Sequence, residues 1–228
     1  MPFDYPAVLH AISIYALPAL FAITFHEAAH GLVAYHFGDD TAWRMGRVTA
    51  NPLRHIDPFG TILMPLLLAM LSRGQFFFGY AKPVPVDFHR LRHPRIDMVW
   101  VAAAGPGANL LLALVSAVLF YVVPFLPHVA QGWAVANLEN SIVFNVLLGI
   151  FNMIPLPPLD GGRVAVGLLP DALAFPLARM ERYGMWILIA LLFVVPMLTN
   201  GVNVIGYIIN VPAAYVITAI SWLTGVSP

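Results

Sequence analysis

Long apolar stretches recur along this chain and constrain its fold more than any other feature of the sequence. They cover approximately residues 7–37, 97–123, 138–153, 183–199 and 203–223, and a helix needs about 20 such residues to cross a bilayer. Hydrophobic residues make up 60% of the 228 residues and charged residues only 10%, a composition that does not suit a water-exposed surface. We therefore predict a multi-pass membrane protein.

The positively charged residues indicate how these stretches are oriented. The connections Pro124–Asn137 and Thr199–Asn203 contain no Lys or Arg, whereas the other connections include Arg44, Arg47, Arg54, Lys82, Arg90, Arg92, Arg95, Arg163, Arg179 and Arg182. Because loops rich in Lys and Arg stay in the cytoplasm, we predict that the N-terminus lies outside and the C-terminus inside. The chain between Thr61 and Val86 must then enter and leave the membrane on the cytoplasmic side.

The stretch Thr61–Leu71 is also apolar, but it is shorter than the others. At about 1.5 Å per residue it cannot cross a hydrocarbon core of about 30 Å, so it is either a re-entrant segment or a half-helix. No linker, low-complexity tract or internal repeat divides the chain, which predicts a single domain over residues 1–228.

A proline-rich segment, Ala81–Val86, predicts a small β element. In an extended chain Pro83 and Pro85 lie on one edge and lack N–H donors, which leaves the opposite edge open for pairing. Met45–Ala50 is the expected partner strand, and the alternative is a proline-rich surface loop. The expected fold is therefore an all-α polytopic membrane protein with five to six transmembrane helices and a small membrane-associated β-hairpin.

Charge and cysteine content narrow the possible partners and sites. Lys plus Arg and Asp plus Glu both number 11, so there is no basic excess that would indicate binding to nucleic acid. The chain contains no Cys, which excludes disulfides, thiolate zinc sites and a cysteine nucleophile. Any metal site must therefore use His and carboxylate ligands.

Near the inner end of the first stretch, residues His26 to His30 form an H-E-x-x-H motif. On a helix this spacing places both imidazoles on one face, one turn apart. Zn²⁺ suits such a pair, because a catalytic zinc takes three protein ligands and keeps a position for water. Glu27 then lies where it can accept the proton of that water as general base. Such ionisable groups are costly in a membrane, which itself indicates function.

We predict the third ligand at Asp160, because acids are scarce within the apolar segments. It lies in the sequence N-M-I-P-L-P-P-L-D-G-G-R, which begins at Asn152. The prolines forbid a continuous helix, so the third stretch must unwind after Asn152 beside protein or water. The alternative is that Asp160 only caps a short helix over Gly162–Leu169, although the cap and ligand roles are compatible.

Taken together, these motifs resemble the site-2 protease family of intramembrane metalloproteases. The H-E-x-x-H motif is followed by N-x-x-P-x-x-P-L-D-G-G, Gly105–Asn109 is similar to the family's G-P-x-x-N helix, and Gly79–Val86 resembles a stretch of its compact bacterial and archaeal members. The PDZ and CBS domains of many relatives find no counterpart here, so the resemblance is to a compact member.

The resemblance implies a site and a role for each of its residues. It implies that one Zn²⁺ ion is bound by His26, His30 and Asp160, that Glu27 is the catalytic base, and that Asn152 aids the site by binding the substrate carbonyl or oxyanion. It also favours the open edge of Ala81–Val86 as a place where an extended substrate is held.

The other polar residues of the apolar stretches are assigned to packing. Asn145, Gly149 and Asn152 share one helix face that is suited to facing the metal helix, and Asn145 is expected to pack there. Asn109 is expected to permit close helix contact with its neighbouring glycines. His55 is interpreted as an interfacial or loop residue and not as a ligand.

The expected activity is a zinc metalloendopeptidase that hydrolyses peptide bonds in or near transmembrane segments of membrane proteins. Its partners are then a transmembrane protein substrate and the lipid bilayer, in the plasma membrane of a bacterial or archaeal cell with the site toward the cytoplasm. The alternative is a membrane metal-ion transporter, since intramembrane His and acid also mark ion paths. That alternative predicts further polar ligands on several helices, and apart from Asp160 and Glu139 the later stretches offer almost no acidic residue.

Overall fold

The computed structural model describes residues 5–64, 67, 70, 82–199 and 204–226. Five helical segments in this part of the chain are long and apolar enough to cross a membrane, which confirms the prediction of five spans: Leu9–His36, Pro94–Phe125, His128–Asn152, Glu181–Leu198 and Ile205–Thr224. The path of the sixth apolar stretch beyond residue 64 lies largely outside the described residues, and the start of the Gly79–Val86 motif lies wholly outside them.

The helices that position the site are numbered in chain order. They are α1 (Tyr5–His36), α2 (Pro94–Leu119), α3 (His128–Asn152), α4 (Asp160–Leu168), α5 (Asp171–Arg179), α6 (Glu181–Ile189) and α7 (Val204–Thr224). A π-helical stretch and a helical turn, Ala190–Val194 and Val195–Leu198, prolong α6. Shorter helical pieces are Thr41–Arg44, Pro52–Arg54, Pro58–Leu63, Phe88–Arg90 and Phe120–Phe125.

Helix α2 lies at the centre of the bundle, where it packs against α1, α3 and α4, and α7 packs on α2 and α3. The core between α2, α3 and α7 consists of small and branched side chains: Ala113, Ala117, Ile142, Val146, Ala213 and Ile220. Large apolar side chains such as Trp186, Tyr207 and Trp222 are exposed on the outside. An apolar exterior around a packed interior suits a protein surrounded by lipid.

The third span begins at His128, earlier than the apolar stretch from residue 138. The sequence between these positions is polar enough to suggest a loop, yet its polar groups bond to α1. The Trp133 indole donates to Ser13 Oγ at 2.9 Å, and the Asn140 amide donates to the Ile14 carbonyl at 2.9 Å. Interhelical hydrogen bonds of this kind let polar residues lie within a membrane helix.

The proline-rich break after Asn152 is present as predicted. Helix α3 ends at Asn152 and the short helix α4 begins at Asp160. A Cβ at Gly161 would overlap the backbone of Met153, so only glycine lets the broken segment fold back onto α4. The break therefore returns the chain to the bundle and brings Asp160 toward α1 and α2.

Arg95 fastens α4 to the start of α2. Its guanidinium donates to the carbonyls of Gly167 and Leu169 and to the carboxylate of Asp171. These carbonyls belong to the end of α4, where backbone acceptors have no partner inside the helix. Arg95 therefore fixes the far end of the helix whose first residue is Asp160.

The predicted β-hairpin is not supported. Neither Met45–Ala50 nor residues 82–87 form a strand, and no strand is assigned anywhere else in the described ranges. The backbone of the proline-rich segment is bonded by other groups: Lys82 N–H donates to the His55 carbonyl at 3.0 Å, and Arg47 donates to the Lys82 carbonyl at 2.5 Å. Because these groups occupy the backbone donors and acceptors, a ladder with Met45–Ala50 does not form.

Asp39 anchors this extended segment to the end of α1. The carboxylate is fully buried and accepts from Thr41 N–H at 3.0 Å, from the Thr41 hydroxyl at 2.5 Å and from Asp87 N–H at 2.7 Å. Burial raises the pKa of Asp39, but these donors outweigh burial and hold it below its ordinary value. Asp39 is therefore ionised at neutral pH and joins two connections at the same end of the bundle.

We expect Asp39→Asn to lower stability at neutral pH by roughly 1.5–3 kcal/mol, the value of a hydrogen bond to a charged group. An amide has one acceptor oxygen, so it must turn its NH₂ group toward either the Thr41 donors or the Asp87 donor. Because the folded pKa of Asp39 is depressed, the wild-type advantage should be complete above the ordinary aspartate pKa of about 3.9 and should vanish as the pH falls through the lower folded value.

The measurement is thermal unfolding in detergent across this pH range. Asp40→Asn is the matched control, because Asp40 forms only partly exposed ion pairs with Arg44 and Arg90, which contribute about 0–1 kcal/mol. Equal losses in the two variants, or a loss in Asp39→Asn that does not change with pH, would contradict this account.

Candidate metal centre

His26 and His30 lie on one face of α1, one turn apart, as the H-E-x-x-H spacing predicts. Their rings meet edge to face with centroids 4.6 Å apart, and their Nε2 atoms are 3.0 Å apart. Both residues are buried, with 5% and 9% of their surface exposed. The two ring nitrogens therefore converge on one small volume inside the bundle.

Asp160 completes this cluster from the start of α4. Its Oδ2 atom is 3.2 Å from His26 Nε2 and 3.3 Å from His30 Nε2. The helix runs over Asp160–Leu168 rather than Gly162–Leu169, and its N-cap is Leu159, so Asp160 is the first helical residue and does not occupy the cap position. In the described part of the chain, these three residues are the group of His and acidic side chains arranged to hold a metal ion.

The hydrogen bonds on the far side of each ring decide whether a metal fits. His30 Nδ1 is 2.7 Å from the carbonyl of Val101, which can only accept, so Nδ1 carries the hydrogen. His26 Nδ1 is 2.6 Å from Asn109 Oδ1 and also donates. Each neutral ring therefore presents a lone pair at Nε2 to the cluster.

When both rings are neutral, as metal binding requires, three lone-pair atoms meet without a hydrogen between them. The Asp160 Oδ2 atom is buried and has no hydrogen-bond partner among the described residues. Such a grouping is repulsive unless a cation lies among the three atoms, and two imidazoles with one carboxylate form a donor set that Zn²⁺ takes at catalytic sites. The residues therefore fit zinc.

Gly105 of α2 leaves the space that this grouping needs. A Cβ at this position would overlap His30 Nε2 and would lie 2.6 Å from His26 Nε2. The helix backbone therefore lies directly against the two rings, and α2 also supplies the Val101 and Asn109 acceptors that orient them. Helix α2 thus leaves room for both imidazole rings and fixes the orientation of each.

Glu27 does not belong to the three converging residues, although it follows His26 in α1. Its Oε2 atom accepts a hydrogen bond from Val84 N–H at 2.7 Å. Val84 is itself buried, and its side chain packs beside Gly31, where a Cβ would lie 3.2 Å from Val84 Cγ1. The proline-rich segment therefore crosses α1 beside the metal cluster and holds the Glu27 carboxylate.

The chain is similar in sequence to a family of known peptidases and to curated proteins over most of its length. The sequence profile of Peptidase family M50 matches residues 127–195. A candidate zinc metalloprotease of Bacillus subtilis, YwhC, is 39% identical over 180 residues, which cover 77% of this chain and 78% of that protein. The chain belongs to peptidase family M50, the site-2 protease family.

Two mycobacterial proteins, both named as candidate zinc metalloprotease Rip2, are more distant M50 relatives. The Mycolicibacterium smegmatis protein is 30% identical over 174 residues, covering 76% of this chain and 64% of that protein. The Mycobacterium tuberculosis protein is 27% identical over 183 residues, covering 80% and 66%. No solved structure matches the chain. This M50 chain is accordingly a multi-pass membrane zinc metalloprotease.

Asn152 and Asn109 of the M50 chain have hydrogen-bond partners that the sequence did not predict. The Asn152 amide donates to the Leu148 carbonyl of its own helix at 3.0 Å. Asn109, expected only to allow helix contact, bonds to His26. Its position as a polar residue in an apolar helix, facing the H-E-x-x-H helix, was the signal available for this role.

His55 lies in a connection, as expected, but it is 2% exposed rather than interfacial. Its Nε2 atom is 3.1 Å from the Thr49 carbonyl, and burial lowers its pKa, so the ring is neutral at pH 7. The His55 carbonyl also accepts from Lys82 N–H. His55 therefore helps to hold the start of the proline-rich segment in place.

We expect Gly105→Ala to weaken zinc binding by about 10-fold or more, because a methyl group at this position displaces both imidazoles. The measurement is zinc content after equilibration with a graded series of chelator concentrations. Gly107→Ala is the matched control on the same helix, since nothing lies within 4 Å of a Cβ there among the described residues. Wild-type affinity in Gly105→Ala would show that the rings are not confined as described.

Proposed function

We propose that this M50 protease hydrolyses peptide bonds in or near the transmembrane segments of membrane proteins, the reaction of regulated intramembrane proteolysis. The single observation that carries the proposal is the convergence of His26, His30 and Asp160 inside a bundle of membrane-spanning helices. A metal site enclosed by membrane-spanning helices can act only on a peptide bond that enters the bundle. Substrates therefore present a stretch of chain that unwinds at membrane depth.

In this proposal His26, His30 and Asp160 hold one zinc ion through the atoms that converge in the cluster. When bound, zinc polarises the scissile carbonyl and lowers the pKa of water so that water attacks at neutral pH. The protein contributes orientation, because the Nδ1 hydrogen bonds aim both Nε2 lone pairs at the same point. The close approach of Gly105 excludes other ligands from that side.

Glu27 is assigned as the general base, which takes a proton from the attacking water and gives it to the departing amine. Its place between the two histidines in the H-E-x-x-H motif of α1 supports this role, since the motif's Glu serves as general base beside a zinc held by the two His. The hydrogen bond from Val84 N–H holds the Glu27 carboxylate in place and restricts its rotation. The base is therefore oriented before a substrate arrives.

Asn152 is assigned to binding the substrate carbonyl or oxyanion. It is the last residue of α3, where the proline-rich break begins, and it is only half-buried. Its amide donates to Leu148, so a rotation of the side chain is needed to offer this donor to a substrate. The end of a helix permits such a rotation, because the chain beyond Asn152 is not helical.

The active site is assigned to the cytoplasmic side of the plasma membrane of a bacterial or archaeal cell. Helix α1 ends and helix α2 begins at one end of the bundle, where Arg92 donates to the carbonyl of His36. Arg44, Arg90 and Arg95 lie in or beside the connection between these two helices. His30 lies six residues before the end of α1, or about 9 Å at the helical rise. The positive-inside rule assigns this end to the cytoplasm, from which water reaches the zinc.

The test uses purified protein in proteoliposomes with a single-span substrate. We expect cleavage by zinc-loaded wild type, and a loss of about 10²- to 10⁴-fold in Glu27→Gln, which removes the base and keeps the metal ligands. Asp160→Asn and chelator treatment should abolish cleavage together with zinc binding. The zinc content of each sample is measured alongside the cleaved product.

Glu27→Gln is the matched variant for this test, because the amide keeps the size of the side chain. Cleavage at the wild-type rate in zinc-loaded Glu27→Gln would contradict the role of Glu27. Zinc uptake into the vesicles without cleavage by wild type would contradict proteolysis and would favour metal transport.

A further inference from the structure

A chain of buried amide side chains leads from His26 into the centre of the bundle. Asn109 accepts from His26 Nδ1 at 2.6 Å, and its own amide group donates to Asn145 Oδ1 at 2.9 Å. Asn145 in turn donates to the Ser141 carbonyl at 2.8 Å. Asn109 and Asn145 are buried almost completely, with 0% and 1% exposed. The chain therefore connects α1, α2 and α3 at the depth of the metal cluster.

The direction of this chain is determined by its fixed acceptors. The Asn109 NH₂ group also donates to the backbone carbonyl of Ala22 at 3.1 Å. A backbone carbonyl cannot donate, so the NH₂ group must face Ala22, and the amide oxygen must face His26. The Ser141 carbonyl orients Asn145 by the same argument, and its amide oxygen faces Asn109. Each amide is thus held in one of its two possible orientations.

The consequence for His26 is a single tautomer. Because the Asn109 oxygen can only accept, the His26 ring carries its hydrogen at Nδ1 and presents Nε2 as a lone pair toward Asp160. In a membrane interior no bulk water can replace a lost partner, so a removed acceptor leaves the Nδ1 hydrogen unsatisfied. Rotation or tautomer exchange of the ring then becomes the cheaper arrangement.

We propose that Asn109 is a positioning residue that orients His26 for zinc, and that Asn145 holds Asn109 in place. His30 needs no such side chain, because the Val101 backbone carbonyl accepts from its Nδ1. The proposal rests on the metal-binding role of His26 in the proposed function, but not on proteolysis. Hydrogen-bond partners behind a metal-binding imidazole typically change metal affinity by about 10- to 100-fold when they are removed.

The experiment compares zinc affinity, by competition with a chromophoric chelator, in full-length wild type and variants in detergent. Asn109→Leu removes the acceptor at similar volume, and we expect affinity to fall by about 10- to 100-fold. Asn109→Asp keeps an acceptor toward His26, as in the carboxylate–histidine–zinc arrangement, but loses the donors to Ala22 and Asn145, so it should recover part of this loss. Asn145→Leu should give a smaller loss, because Asn109 keeps its bond to Ala22.

Asn140→Leu is the matched control, since Asn140 also donates to a backbone carbonyl of α1 but has no bond to His26 in the described structure. Two further readouts separate positioning from general stability. The visible spectrum of the Co²⁺-substituted protein should change in Asn109→Leu and not in Asn140→Leu. The increase in the thermal unfolding midpoint on adding zinc should be smaller in Asn109→Leu than in wild type, whatever the midpoint of the zinc-free protein.

Wild-type zinc affinity and Co²⁺ spectrum in Asn109→Leu would overturn the proposal, as would an equal loss of affinity in Asn140→Leu. Failure of Asn109→Asp to recover affinity would also overturn it, provided that this variant folds with the zinc-free midpoint of wild type. If wild type binds zinc with the expected dependence on Asn109 but cleaves no substrate, the proposed function fails and this inference stands.

Discussion

Three lone pairs directed at one point inside a membrane are the constraint on which the rest of this structure depends. His26 Nε2, His30 Nε2 and Asp160 Oδ2 lie 3.0–3.3 Å apart, an arrangement that is unfavourable with neutral rings until a cation is present. The protein must hold it by rigid support elsewhere. Gly105 lets α2 lie against the rings, the proline break carries the chain back to α1, and Arg95 fixes the far end of the helix that begins at Asp160.

Helix α2 provides most of this support, although it contributes none of the three converging side chains. Its Val101 carbonyl and Asn109 side chain accept from the two imidazoles, so ring orientation follows from the placement of one helix. Polar groups in a membrane need internal hydrogen-bond partners. Here those partners also fix the orientation of the His26 and His30 rings. The same bonds that make buried asparagine tolerable in α2 and α3 therefore define the tautomer of His26.

The sequence was sufficient for the features that depend on local pattern. Apolar length predicted the five spans, i, i+4 spacing predicted the histidine pair, and prolines predicted the break before Asp160. Features that depend on long-range partners were missed. The start of α3 reads as a loop because the bonds of Trp133 and Asn140 to α1 are invisible in the sequence. The hairpin fails because the His55 carbonyl and the Arg47 and Glu27 side chains bond to backbone groups of the segment. Asn109 is interpreted as a packing residue because its acceptor role requires His26 to lie opposite.

The failed hairpin also changes how the proline-rich segment relates to the catalytic site. The edge without prolines was expected to be open for an extended substrate, yet its amides at Lys82 and Val84 donate to the His55 carbonyl and to Glu27. Pro83 and Pro85 leave no N–H on the other edge. The segment therefore uses the Lys82 and Val84 donors within the protein, one of them on the carboxylate assigned as base. Any displacement of Val84 removes a donor from Glu27, so the position of this segment and the orientation of the Glu27 carboxylate cannot change independently.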